Sequence, residues 1–222
     1  MGSIMTFVTQ DDETVGQLLS RRRMVALLGA TGTAWLTAIR TSAAMPSPCV
    51  VRPQQTEGPF FFDDRLHRRD IRDNRPGKAL DLTLFVSRLH ENKCEPLPGA
   101  VVDIWQCDAV GEYSDDHLRG YQVTDDRGAA HFLTIYPGWY SGRTIHIHFK
   151  IRSKNHEFTS QLYFDDALTD LVAREAPYAR NEGRRILNRN DGIYRRGGDQ
   201  LTLDVIRTTS PFAATFAVAM QF

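Results

Sequence analysis

Thr144-Ile145-His146-Ile147-His148-Phe149-Lys150-Ile151 divides its residues between two faces. Ile145, Ile147, Phe149 and Ile151 take one parity and Thr144, His146, His148 and Lys150 the other, the period of a strand with one apolar side. Residues two apart on a strand project the same way with Cα atoms about 6.8 Å apart, so two leaning imidazoles can share one ion at bonds of about 2.1 Å. The apolar face is predicted to enter a core and the polar face to form a site. By itself a His-x-His pair is also compatible with a solvated sheet face.

Outward from this strand the same alternation recurs. Residues 80–86 alternate, 95–99 carry Pro and Gly of a turn, and 100–105 read as another strand. Asp125-Asp126-Arg127-Gly128 marks a tight turn before a strand at 130–135. Further strands are expected at 159–164, 201–207 and 214–219, with a short helix around 167–175 and a charged loop from 180 to 196. Short strands at this spacing predict an all-β fold, a two-sheet β-sandwich with one short helix and long loops, and a site among loops at one end.

Two tyrosines flank the polar site. Tyr140 lies six residues before His146, in Tyr136-Pro137-Gly138-Trp139-Tyr140-Ser141-Gly142-Arg143, whose Pro-Gly pair and second Gly turn the chain into the His strand. Tyr113 follows the run 101–107 and a turn at Gly111. Ferric iron, a hard and highly charged acid, favours anionic oxygen donors, whereas zinc sites use Cys, His and carboxylate. A phenol is neutral at pH 7, with an ordinary pKa of about 10, but a bound cation makes the phenolate the bound form. No Asp or Glu lies within the His-x-His strand to complete the two-His, one-carboxylate set of an Fe(II) oxygenase.

Asp103-Ile104-Trp105-Gln106-Cys107-Asp108, Gly111-Glu112-Tyr113-Ser114, Pro137-Gly138-Trp139-Tyr140, Arg143 and His146-Ile147-His148-Phe149 together resemble the intradiol ring-cleavage dioxygenases. The likeness extends to Thr56-Glu57-Gly58-Pro59-Phe60 and Gln161-Leu162-Tyr163-Phe164-Asp165, so it spans roughly residues 49–207. The resemblance implies a non-heme Fe(III) cofactor held by Tyr113, Tyr140, His146 and His148, with Tyr140 also accepting a proton from the incoming diol. The implied reaction takes a small aromatic diol and O2 and cleaves the ring between the two hydroxylated carbons, giving a cis,cis-muconate-type product. Arg143 matches an arginine that faces the reacting ring, where a fixed cation stabilises developing negative charge. Gln161 matches an active-site amide, and Pro59 a pocket-lining, substrate-binding position. Only five residues separate Tyr140 from His146, fewer than the resemblance implies for the soluble catechol enzymes of the family, and no counterpart of the helical segment by which those enzymes dimerise is expected in these residues. A smaller lid and a pocket open to substituted catechols are expected, with the oligomeric state open.

Three other readings fit parts of the pattern: a non-catalytic β-sandwich binding module, a zinc hydrolase using His146, His148 and one Tyr, and an Fe(II) extradiol enzyme. His67, His90, His117, His131 and His156 are read as surface or structural residues.

The 222 residues are 41% hydrophobic and 24% charged, enough for one globular domain with a substantial core. Lys plus Arg equals Asp plus Glu at 27 each, a balance without the basic footprint of a nucleic-acid binder. Residues 1–44 read differently. Ser20-Arg21-Arg22-Arg23-Met24-Val25 resembles a twin-arginine export signal, followed by a weakly apolar run at 25–39 and a small-residue stretch, Thr41-Ser42-Ala43-Ala44. That run falls short of the roughly 18–20 apolar residues of a stable membrane span. Residues 45–222 are therefore expected to be the catalytic domain of an exported protein. An oxidising destination gives meaning to the three cysteines: Cys49 and Cys94 are expected to pair, tying the N-terminal arm to the first hairpin, and Cys107 to remain a buried thiol.

Overall fold

The computed structural model describes residues 49–221 apart from 64, 65, 92 and 209, so the expected export segment at 1–44 lies outside the described residues. Nine strands and one α-helix make up the described chain: β1 (Ala79–His90), β2 (Lys93–Pro96), β3 (Val101–Trp105), β4 (Arg119–Val123), β5 (Ala129–Ile135), β6 (His146–Ser153), β7 (His156–Tyr163), α1 (Asp166–Val172), β8 (Val205–Ile206) and β9 (Phe212–Gln221). They form two sheets, as the strand spacing predicts. One runs β2-β1-β9-β8 with β5 also paired to β1, and the other runs β4-β3-β6-β7. β1 is long enough to hold β5 along Ala79–Phe85 and β2 along Ser87–His90, while β9 pairs with it in parallel.

The core follows from the alternation. Leu80, Leu82, Leu84 and Val86 of β1 are fully buried, as are Val102 and Ile104 of β3 and Ile147, Phe149 and Ile151 of β6. Burying each such side chain contributes about 1.5–3 kcal/mol. The polar parity of β6 is buried too, because the arm before β1 lies across it: Gln55 N–H donates to Thr159 O, Gln161 Nε2 to Thr56 O, and Lys150 pairs with Glu57. The arm is anchored at its start by a disulfide between Cys49 and Cys94, with Cα atoms 5.5 Å apart, while Cys107 is a buried free thiol.

Several elements depart from the sequence expectation. β6 begins at His146 rather than Thr144, because the Thr144 amide is taken by Asp191 and its hydroxyl by Asn188. Residues 93–96, read partly as turn, form β2 against the end of β1, and the turn follows them. β4, with Arg119 and Gly120 at its start, shows no strand-like alternation, yet it pairs with β3 along its whole length. The strand expected at 201–207 shrinks to Val205–Ile206, preceded by a 3-10 turn over Gly198–Leu201. Helix α1 starts as expected, its first turn capped by the Asp165 carboxylate, which accepts from Leu168 N–H. Among the described residues, no helix is long and apolar enough to cross a membrane.

Candidate metal centre

β6 sets the two imidazoles. The register pairs His148 with Trp105 on one side and Gln161 on the other, and places His146 opposite Tyr163. Trp105 lies flat on His148, ring centroids 5.0 Å apart and 6° from parallel, so this imidazole is wedged against a rigid wall. His146 Nδ1 is 2.7 Å from the Thr144 carbonyl. A carbonyl can only accept, so Nδ1 carries the proton and Nε2 presents its lone pair. That Nε2 is 3.1 Å from His148 Nε2.

The tyrosines arrive from two loops that close on each other backbone to backbone. After β3 the chain turns tightly: Asp108 Oδ1 accepts from the amides of Val110 and Glu112, and Gly111 adopts φ +91°. A Cβ on Gly111 would sit 2.1 Å from the Trp139 carbonyl oxygen, and one on Gly138 would sit 2.5 Å from that of Ala109. Glycine at both positions lets the Tyr113 and Tyr140 loops approach to contact distance. The second loop is pinned from outside, where Trp139 Nε1 donates to Gly183 O and Asn181 Nδ2 donates to Trp139 O. The Tyr113 and Tyr140 rings meet edge to face at 5.7 Å, and Tyr140 Oη is 3.3 Å from His146 Nε2.

These distances suit a single ion. Donors bound at about 2.1 Å in tetrahedral or octahedral array are roughly 3.0–3.4 Å apart, and the His146–His148 and Tyr140–His146 separations are 3.1 and 3.3 Å. Tyr113 Oη is buried and has no hydrogen-bond partner among the described residues, the condition of an oxygen that would face such an ion. Burial, the neighbouring imidazole and the Arg143 guanidinium hold His148 well below its ordinary pKa; burial and Arg143 lower His146 to about 3. Both rings are thus neutral, the form that binds metal. Burial raises the Tyr113 and Tyr140 hydroxyls, so an added cation is needed to draw off their protons. Among the described residues, no three of His, Cys, Asp and Glu gather into a metal-holding group; the convergent set is two imidazoles and two phenols.

Arg143 joins this cluster. Its Nη1 is 3.4 Å from His146 Nε2, its Nη2 donates to Gln161 Oε1 at 2.5 Å, and its Nε donates to Asp191 Oδ2 at 2.8 Å. Gln161 is fully buried, its amide spent on Thr56 O and its oxygen also accepting from Tyr163 Oη. Pro59 is exposed, and it is the next residue, Phe60, that meets the phenols: its ring stacks on Tyr113 at 4.1 Å and stands edge-on to Tyr140 at 6.3 Å. Phe60, Trp105 and Tyr163 lie in the recognised motifs but the sequence assigns them no role in the site, and Asp191 lies in none of those motifs. Phe60 is adjacent to the Gly-Pro signal, whereas Asp191 is hidden in a charged loop and carries no local mark. His117 is buried with Nδ1 2.6 Å from Asp116, and His131 bonds Thr83, both structural.

Outside the cluster, Ser141 and Gly142 are exposed and line a cleft of about 280 Å³ with Arg184, Arg185, Ile186 and Asn190.

A profile of the family described as “Dioxygenase” matches residues 56–186, more than half of the chain and all four convergent side chains. The chain is 28% identical over 152 residues to chlorocatechol 1,2-dioxygenase of Pseudomonas putida, covering 57% of this chain and 55% of that protein. It is 32% identical over 153 residues to catechol 1,2-dioxygenase of Candida albicans, covering 56% of this chain and 48% of that protein. It thus spans about half the length of the curated relatives it matches. Among solved structures, an intradiol ring-cleavage dioxygenase from Tetranychus urticae superposes with a TM-score of 0.74 at 30% identity, over 78% of this chain and 95% of that one. With the profile matching more than half of the chain and the fold shared with that structure, the chain belongs to the intradiol ring-cleavage dioxygenase family.

Proposed function

We propose that this chain is an Fe(III)-dependent intradiol dioxygenase acting on catechol-type diols with O2. The observation that carries the proposal is the approach of Tyr140 Oη and His148 Nε2 to within 3.3 and 3.1 Å of His146 Nε2, beside the partnerless Tyr113 hydroxyl. Tyr113, Tyr140, His146 and His148 would hold the ferric ion, which supplies an electron-withdrawing centre that makes a bound diol reactive toward O2.

The chain's own residues do the remaining work. Tyr140, half-buried at the head of an exposed turn, is the phenol that would take a proton from the diol at Oη. Arg143 cannot lose its charge and is held from both ends by Asp191 and Gln161, so it offers a fixed cation to negative charge building on the ring. Phe60 and Trp105 exclude water from the two sides.

The experiment is oxygen uptake by the iron-loaded chain with catechol. One O2 consumed per catechol, with a muconate-type diacid as product, is expected. A yellow semialdehyde would mean extradiol cleavage, and no oxygen uptake would leave the hydrolase or binding module. The short turn between Tyr140 and His146, with Ser141 and Gly142 exposed, supports entry of substituted catechols. Comparable kcat/KM for catechol and bulkier 4-substituted catechols is expected, and strict preference for unsubstituted catechol would refute the open pocket.

Export by the twin-arginine segment is likewise proposed, supported by the arginine run and by a disulfide suited to an oxidising compartment. Replacing Arg21, Arg22 and Arg23 by Lys is expected to retain the full-length chain inside the cell; unchanged secretion would exclude that route.

A further inference from the structure

Asp191 follows the 3-10 turn over Asn188–Asn190, and its side chain is wholly buried. Four donors converge on it. Oδ2 accepts from Arg143 Nε and from the Thr144 amide, both at 2.8 Å, and Oδ1 accepts from the amides of Ile193 at 2.7 Å and Tyr194 at 3.0 Å. Burial pushes this carboxyl up, but the Thr144 and Tyr194 amides and Arg143 outweigh it and hold the group below its ordinary range, so it is ionised.

Both residues held by Oδ2 contact His146, Arg143 at Nε2 and Thr144 at Nδ1. Arg143 reaches toward His146 Nε2, and its other end is fixed by Gln161. Thr144 is held at three points: its amide by Asp191, its hydroxyl by Asn188 Oδ1 at 2.6 Å, and its carbonyl by the Nδ1–H of His146 at 2.7 Å. Asn188 is itself tied to the end of β7 through Phe164 O. A single carboxylate oxygen therefore sets the guanidinium and, through Thr144, the tilt and tautomer of one imidazole. A metal-binding histidine is oriented in this way by the group that accepts from its other nitrogen.

We propose that Asp191 is a positioning residue of the centre, fixing Arg143 and His146 together from a loop beyond the residues 56–186 that the family profile matches. The role rests on the proposed ferric centre. An amide at this position must turn its NH2 toward either the Arg143–Thr144 pair or the two loop amides, setting donor against donor. A glutamate keeps the charge but is one methylene too long for the same geometry.

The test compares the full chain with its Asp191→Asn and Asp191→Glu variants, well below their melting temperatures. Ferric affinity of metal-free protein, read by chelator competition, is expected to fall about 10–100-fold in Asp191→Asn, with kcat falling more than KM rises. Asp191→Glu, the variant to rely on should the amide not fold, is expected to lose kcat at least fivefold while remaining folded at the assay temperature. The ¹⁵N spectrum of metal-free protein gives a readout independent of iron: a single Nδ1–H tautomer for His146 in wild type, and a shifted or exchange-broadened signal in either variant. Wild-type imidazole signals and ferric affinity in both variants would overturn the positioning role. In a chain that took up no iron the ferric assignment would fall by itself, and the imidazole spectrum would still decide the role of Asp191.

Discussion

Tyr140 and Tyr113 have the same chemistry in different surroundings. Tyr113 is packed under Phe60 with a buried, partnerless hydroxyl, whereas Tyr140 sits on a turn whose next two residues are exposed. Replacing Tyr140 with Phe is expected to shift or bleach the phenolate-to-iron colour and to lower kcat by two orders of magnitude or more, since the proposed ligand and the proposed proton acceptor are the same hydroxyl. Steady-state kinetics and the visible spectrum check this, and wild-type turnover in Tyr140→Phe would refute the dual role. At this scale the four candidate ligands were legible because each sits in a local pattern: a period-two strand, or a Gly-marked turn. Asp191 was not, because its meaning lies in a contact with Arg143 across 48 positions of chain. Phe60 was passed over for Pro59, because a proline advertises a turn whereas an aromatic ring reads as core until its neighbours are known.

Between residue and fold, the loops carrying the tyrosines depend on two glycines. At Gly111, φ of +91° is a conformation that L side chains rarely adopt, and a Cβ there would also strike the Trp139 carbonyl oxygen at 2.1 Å. Gly111→Ala is therefore expected to destabilise the fold by about 2–4 kcal/mol, measured as a lower urea midpoint, and to weaken ferric binding because the two phenol loops are pushed apart. A variant as stable as wild type would show that the loops are not in contact. The elements with strong alternation, β1, β5 and β6, were legible in outline. β4 was not, because Arg-Gly-Tyr-Gln-Val forms a strand only by filling the edge of β3. The strand expected at 201–207 is reduced to Val205–Ile206 because Leu201 closes a 3-10 turn and the next residues make only an isolated bridge to Tyr163 at the end of β7.

Across the whole domain, stability and site are linked through the arm at 49–62, which covers the polar face of β6. The Cys49–Cys94 bond closes a sequence separation of 45 residues, and loss of such a cross-link costs about 2–4 kcal/mol. Cys49→Ser with Cys94→Ser is expected to lower the melting temperature by roughly 5–15 °C while leaving ferric affinity within a few-fold, because Gln55, Thr56 and Glu57 still tie the arm to β6 and β7. An unchanged melting temperature would mean that the bond does not form. Asp103, paired with Arg152 at 2.9 Å, gives a pH signature: burial outweighs the guanidinium and raises its carboxyl to about 6. The folded chain thus binds this proton more tightly than the unfolded one, whose carboxyl titrates at about 3.9. The stability it contributes is full below that unfolded value and is lost as pH rises through about 6. Urea titrations at pH 5 and pH 7 should show wild type gaining stability toward pH 5 relative to Asp103→Asn, and a pH-independent difference would contradict the buried carboxyl. The sandwich itself was legible as strand count and spacing; the parallel pairing of β1 with β9 and the arm over the site were not, since neither leaves a periodic trace in the chain.

Two phenolates and two imidazoles are proposed to hold one ferric ion, and titration of metal-free protein with Fe(III) under the visible spectrum decides whether they do. A phenolate-to-iron band saturating at one ion per chain, diminished or shifted in Tyr113→Phe and in Tyr140→Phe and absent from the double variant, is predicted; no band in wild type, or a band indifferent to both substitutions, would contradict it.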